Sequence, residues 1–218
     1  MSQPNRPSGL LPNASPAGSK LLCSPADRAS IEARNSLRQF DEVCRLVRLG
    51  GGFKITPTLI CNLQRISMQD IFSCAGELRQ HPVYIHNSHH TPPEHTRIPW
   101  LVQEMCDYAN ASTTRPAIHT AAFLMWRLNW IHPFRDGNGR TSRAIGYYAL
   151  CARLGFVPPG QPTIPELIAQ DRQPYYDALD DADADHKAHN TFNVVKMETL
   201  VERLLTMQLA SVIKAAKQ

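Results

Sequence analysis

Apolar residues in the first third of the chain recur at helical spacing: Ile31, Leu37, Phe40, Val43, Cys44 and Val47 fall mostly three or four positions apart. Gly50-Gly51-Gly52 ends that run. Thr56-Pro57 then reads as a cap followed by proline at the first helical position, opening a helix from Leu59 to Ile71. The same periodicity predicts helices over 98–111, 116–131, 138–154, 165–170, 174–183 and 193–216. Trp126 and Trp130, four apart on the helix leading to His132, read as a core stripe. One stretch breaks the pattern. Pro82-Val83-Tyr84-Ile85-His86 is short, β-branched and aromatic, and long enough only for a hairpin over about residues 81–90. The expected fold class is therefore all-α, a helical bundle with one short β-hairpin.

Composition sets the boundaries of that bundle. Residues 1–25 hold five prolines and five serines and bury too little apolar surface to order, so a disordered tail is expected over 1–26 and one domain over 27–218. A chain of 218 residues, 43% hydrophobic, suffices for such a core. The net charge of +4 comes from 23 Lys and Arg scattered along the chain rather than gathered in a run, which argues against a nucleic-acid partner. Six widely spaced cysteines form no Cys-x-x-Cys pair and fit a reducing cytoplasm. The first residues carry no apolar signal region and no run is long enough to span a membrane, so a cytoplasmic protein without a membrane partner is expected; delivery into a host cell by a specialised secretion system would leave no readable signal.

The chemistry is concentrated in His132-Pro133-Phe134-Arg135-Asp136-Gly137-Asn138-Gly139-Arg140-Thr141-Ser142-Arg143. Gly137-Asn138-Gly139 precedes an apolar run closed by Gly155, which puts the glycines at a helix N-terminus, where unpaired N–H groups and positive partial charge favour an anion. The glycines let the backbone approach phosphate oxygens, while Asn138 tolerates a left-handed turn and adds a side-chain donor. Arg140 and Arg143, three apart, share a helix face from which planar guanidinium groups can clamp outer phosphates. Asp136 is the kind of lone carboxylate that holds Mg2+ beside substrate phosphates. His132, with a reference pKa of about 6.5, is the natural general base.

The stretch resembles the motif of Fic proteins, His-x-Phe-x-(Asp/Glu)-Gly-Asn-Gly-Arg-x-x-Arg, at every defined position. The resemblance implies a Fic-type helical bundle with a flap hairpin beside the active-site loop, and the activity of a protein adenylyltransferase. Such an enzyme moves AMP from ATP, with Mg2+, onto a Ser, Thr or Tyr hydroxyl of a target protein and releases pyrophosphate. By position, His132 is the base, Phe134 anchors the loop, Asp136 holds Mg2+, Gly137, Asn138 and Gly139 cradle the phosphates, and Arg140 and Arg143 address the β- and γ-phosphates. Related Doc-type phosphotransferases carry lysine where this chain has Gly139, a difference that favours AMP transfer. The alternatives are a silent or nucleotide-responsive binding module of the same fold, or a transferase using another nucleotide or phosphate donor; a module that only binds has no need of His132.

The resemblance extends outside the motif. Gly76-Glu77-Leu78-Arg79, Val83-Tyr84-Ile85 and His90-Thr91-Pro92-Pro93 are similar to the series that precedes it in Fic proteins, where the flap docks the protein substrate as an added strand. Tyr175 and Tyr176 resemble a segment that walls the adenine pocket. Many relatives carry an inhibitory (Ser/Thr)-x-x-x-Glu-(Gly/Asn) motif whose glutamate pairs with the second arginine. Arg28-Ala29-Ser30-Ile31-Glu32-Ala33 is similar, with Arg28 and Ala33 departing from it, so Glu32 is the candidate inhibitory residue and Arg143 its expected partner; a separate antitoxin-like inhibitor is the alternative form of restraint. Ser73-Cys74-Ala75-Gly76-Glu77 fits the first five positions but is broken by Leu78 and reads as chance. The histidines at 86, 89, 90 and 95 lie on a proline-broken loop at poor zinc spacing, and the aspartates between 177 and 185 read as a solvated helix face.

Overall fold

A computed structural model describes residues 20–50, 52–85, 88, 90–111 and 114–216. Most of the expected N-terminal tail, together with His86 and His89, lies outside them, and Pro25 already belongs to a helix. The described residues form α1 (Pro25–Leu49), α2 (Pro57–Met68), a 3₁₀ turn (His95–Arg97), α3 (Ile98–Asn110), α4 (Ala117–Ile131), α5 (Asn138–Leu154), α6 (Ile164–Gln170), α7 (Gln173–His189) and α8 (Val195–Ala215).

Local chemistry explains where these helices begin and end. Ser24 caps α1 by accepting the Asp27 N–H at 3.2 Å, with Pro25 in the first turn. Thr56 caps α2 by accepting from the Leu59 N–H at 3.1 Å, as its sequence suggests, but α2 stops at Met68 rather than Ile71. Gln69 leaves the helical region at ψ 136° and Asp70 turns left-handed at φ 63°. At the other end of the chain α7 runs on to His189, six residues past the expected Asp183, until Asn190 closes it in the left-handed conformation at φ 53°.

Helix α4 is the axis of the bundle, buried from Thr120 through Leu128 and again at Ile131. A helix apolar on all sides must be covered on all sides. α5 packs along it most extensively, with α3, α7 and α8 also against it and α1 and α2 completing the cover over α5. The α4–α5 approach is close because Gly146 has no side chain: a Cβ there would lie 2.5 Å from Met125 Cγ and 3.0 Å from the Ala121 carbonyl. Phe123, Trp126, Phe134, Tyr147 and Tyr175 are the largest side chains sealed into the resulting core.

The hairpin expected over about residues 81–90 is not shown, and 86, 87 and 89 lie outside the described residues. Pro82–Ile85 belong to no strand, and the β pairing among the described residues is a single antiparallel bridge between Leu21 and Phe72. Pro82 cannot donate to a ladder, which removes one pairing group from the first arm.

Candidate active site

The site is built where α4 ends and α5 begins. His132 terminates α4 in the left-handed conformation, φ 50° and ψ 57°, with its N–H donating to the Leu128 carbonyl at 2.9 Å. A non-glycine residue holds this conformation only where its surroundings fix it. Arg79 supplies that restraint: its buried guanidinium donates from Nε to the His132 carbonyl at 2.7 Å and from Nη2 to the Pro93 carbonyl at 2.6 Å, while its own N–H donates to the Pro133 carbonyl at 2.8 Å. Phe134, fully buried, nails the loop into the core.

The His132 ring is held through one nitrogen. Its Nδ1 lies 3.2 Å from the Asn129 carbonyl, which can only accept, so Nδ1 carries the proton and Nε2 keeps its lone pair. Burial pushes the imidazole down to about 4; the nearby Arg79 and His90 act in the same direction, and the Asn129 bond opposes them. The ring is neutral at pH 7.

The loop expected to cradle phosphates turns into α5 at Gly137. Gly137 is left-handed at φ 78° and a Cβ on it would lie 2.8 Å from Met68 Sδ, so the turn requires glycine. No side chain caps α5. Asn138 differs from its expected role: its buried amide accepts from the Phe134 N–H at 3.0 Å and donates to the Phe134 carbonyl at 2.9 Å, leaving only its backbone N–H for an anion. The left-handed residue is Gly137 instead. Gly139 leaves room for Arg143, since a Cβ there would come within 3.3 Å of Arg143 Nη1. Arg143 makes no hydrogen bond or ion pair among the described residues, and burial pushes its guanidinium below the ordinary arginine value. Arg140 has a buried Nη1 without a partner, while its Nη2 lies 3.1 Å from Met68 Sδ and 3.4 Å from Glu32 Oε1. Unpaired guanidinium donors beside an uncapped helix N-terminus fit a polyanion.

Asp136 Oδ1 accepts the Gly137 N–H at 2.6 Å and Oδ2 accepts from Arg28 Nη2 at 2.7 Å. The described residues contain no group of three or more His, Cys, Asp or Glu suited to a metal. One carboxylate fits Mg2+, which keeps waters and takes substrate phosphate oxygens, provided Arg28 yields its place. Glu32 does not meet Arg143 as expected; its partners are Arg28 at 2.9 Å and Arg140 at 3.4 Å.

Beside His132 opens a cleft of about 450 Å³ lined by Ile85, Trp130, Tyr176, Leu179 and Asp180 among others. Of the flap residues, Ile85 reaches this cleft, Val83 is half-buried and Tyr84 is 89% exposed. The two tyrosines separate. Tyr176 lines the cleft, whereas Tyr175 is sealed behind it, its hydroxyl 2.8 Å from Asn129 Nδ2 and 3.1 Å from Ser142 Oγ. Adjacent residues on a helix point about 100° apart, so one wall position excludes the other. His90, read as a loop histidine, is tied to the protein: Nε2 meets the Trp130 carbonyl at 2.7 Å and Nδ1 lies 3.5 Å from Asp183. Asp183 also accepts the Trp126 indole N–H at 2.7 Å, so the acidic run is in part a clasp rather than a solvated face.

Sequence reasoning missed Arg28 as a partner of Asp136, and Gln64, whose Nε2 donates to the Asp136 carbonyl at 3.0 Å. It missed Asn129, which joins His132, Ser142 and Tyr175. Gln64 and Asn129 lie in no motif and Arg28 enters the sequence reading only as a departure from the inhibitory one, so their position in the fold is what reveals them.

Comparison with known proteins agrees with this geometry. Residues 54–150 match the model of the Fic/DOC family. Protein adenylyltransferase Fic of Drosophila willistoni is 37% identical over 158 residues, and that of Drosophila melanogaster 32% over 158 residues, each alignment covering 70% of this chain and 30% of the relative. The chain thus spans about a third of the length of these curated relatives. In fold it is similar to a Fic domain containing signaling protein from Bacteroides thetaiotaomicron, with a TM-score of 0.70 and 23% identity over 86% of this chain and 72% of that one. It is likewise similar to residues 134–508 of Fic-1 from C. elegans, with a TM-score of 0.65 and 21% identity over 89% and 55% of the two chains. Matched sequence, complete motif and shared helical fold together identify a Fic/DOC-family domain in this chain.

Proposed function

We propose that the chain catalyses Mg2+-dependent transfer of AMP from ATP to a Ser, Thr or Tyr hydroxyl of a target protein. The observation that carries this reading is His132: Nδ1 is committed to the Asn129 carbonyl, Nε2 is free, and the ring borders the cleft next to the uncapped start of α5. The family membership and the name of the Drosophila relatives support the same reaction.

The step balances as follows. Nε2 of His132 takes the proton of the incoming hydroxyl as its oxygen bonds to the α-phosphorus; the bond from that phosphorus to the bridging oxygen breaks, and pyrophosphate leaves. The N–H groups of the first turn of α5, with Arg140 and Arg143, hold the phosphates in line. Asp136 would hold Mg2+, which neutralises charge developing on the leaving group. Tyr176, Leu179 and Ile85 offer the apolar walls for the base. The segment around Val83, Tyr84 and Ile85 presents backbone to a target strand, and a strand added there would supply the pairing that the chain itself does not.

Incubation with target lysate and either α-labelled or γ-labelled ATP tests the reaction. Label on protein from α-labelled ATP only is the expected result. Label from γ-labelled ATP would mean phosphate transfer, and label from neither, with the nucleotide still bound, a binding module.

A further inference from the structure

Asp136 is the only carboxylate in the motif, and both its oxygens are engaged: Oδ1 with the Gly137 N–H at 2.6 Å and Oδ2 with Arg28 at 2.7 Å. Arg28 comes from α1, 108 positions earlier, and is not held by Asp136 alone. Its Nε donates to Glu32 Oε1 at 2.9 Å, one turn along the same helix, and its guanidinium carbon sits 5.8 Å from the centre of the Phe72 ring. The backbone under Arg28 is fixed by the Ser24 cap at the start of α1.

A divalent cation bound through Oδ2 would sit about 2.0–2.6 Å from that oxygen. The guanidinium nitrogen already lies 2.7 Å from it, so two cations would compete for the same oxygen. Oδ1 is the poorer ligand, because it already accepts the Gly137 N–H at the N-cap of α5. The arginine side chain is 37% exposed and retains Glu32 and the Phe72 face when it leaves Asp136, so it can pivot without displacing α1. A half-exposed pair of this kind adds little to fold stability, and its main consequence falls on what else Asp136 can bind.

We propose that Arg28 is a specificity-determining residue that stands in the divalent cation's place on Asp136, and thereby sets how tightly the metal and the metal-bound nucleotide enter this site. The proposal rests on the nucleotide reading above and deepens it. Loading of the metal-bound nucleotide requires Arg28 to swing from Asp136 toward Phe72, whereas metal-free nucleotide meets no such competition.

The test measures binding rather than turnover. The full chain and its Arg28→Gln variant are titrated with α,β-methylene-ATP, which cannot transfer AMP, in EDTA and in excess Mg2+, with Mn2+ affinity read by electron paramagnetic resonance. Arg28→Gln is expected to bind the metal complex on the order of tenfold more tightly, with Mn2+ affinity rising by a similar factor and metal-free binding no stronger. That gain should vanish in the Asp136→Asn background. An unchanged affinity for the metal complex would overturn the proposal and leave Arg28 as a tie between α1 and the loop. Parallel weakening with and without metal would overturn it in favour of a direct phosphate contact, and persistence of the gain in Asp136→Asn would place the effect elsewhere. If neither protein binds the analogue under any condition, the nucleotide reading itself fails.

Discussion

At the scale of single residues, the proposed reaction divides labour between groups that would touch it and groups that aim them. His132 is aimed by the Asn129 carbonyl and by its left-handed backbone, and it is not engaged with Arg140 or Arg143. His132→Ala should therefore lower AMP transfer by about 10²–10⁴-fold while nucleotide affinity, measured by calorimetry, stays near wild type. Collapse of affinity as well would remove His132 from the role of base. The pH dependence follows from its burial. Because the folded imidazole titrates near 4, transfer should hold its rate as pH falls through 6 and lose it only on approaching 4. An acid limb near 6.5 in kcat/KM would show an unperturbed histidine. Between those values the unfolded chain binds a proton that the folded chain refuses, so this residue's contribution to stability is complete above about 6.5 and disappears as pH falls toward 4. Melting curves of the wild type should therefore drop more across that window than those of His132→Gln.

Helices carry these residues to each other, and their legibility in the sequence differs for physical reasons. The start of α2 and both ends of α5 are legible because they are chemical: Thr56-Pro57, Gly137 and Gly155. α7 extends six residues past its expected end because an acidic run resembles solvent, while its extra turns are held through His186, whose ring packs edge-on against Trp126 and Trp130 of α4. The motif was legible as a unit since its residues lie within one loop and one helix turn. Tyr175 and Tyr176 could not be separated without the rotation of α7, nor could the partner of Glu32 be chosen without the placement of α1. Two predictions belong to this scale. Glu32→Ala frees Arg140 and should raise transfer and self-modification a few-fold, with stability changed by no more than about 0.5 kcal/mol, since its pairs are partly exposed. Unchanged activity in that variant would mean a constitutive enzyme or restraint by a separate antitoxin-like partner. Ile85→Pro removes a backbone donor from the segment beside the cleft, so it should impair target modification more than ATP binding. Equal loss of both would indicate damage to the cleft rather than to docking.

The whole molecule is larger than the segment that names its family. Residues 54–150 hold α2 to most of α5, with the complete motif, yet two walls of the site come from outside them. Arg28 and Glu32 reach Asp136 and Arg140 from α1, and Tyr176, Leu179 and Asp180 line the cleft from α7. The core has the same dependence. α8 covers α4 with Met197, Leu200, Val201 and Leu204, all buried, and α1 brings Val43 and Cys44 against the rest. Each such apolar side chain contributes about 1.5–3 kcal/mol on burial, so stripping away six of them removes about 9–18 kcal/mol, as much as the 5–15 kcal/mol by which domains are usually stable. A fragment limited to residues 54–150 should consequently fail to fold cooperatively, showing weakened near-ultraviolet dichroism, dye binding to exposed apolar surface and no protected amide core in hydrogen exchange. The 20–216 segment should keep all three native signatures. A sharply melting, protected 54–150 fragment would mean that α1 and α8 merely decorate a self-sufficient catalytic core, and that the contribution of α1 to the phosphate end of the site is separable from the fold.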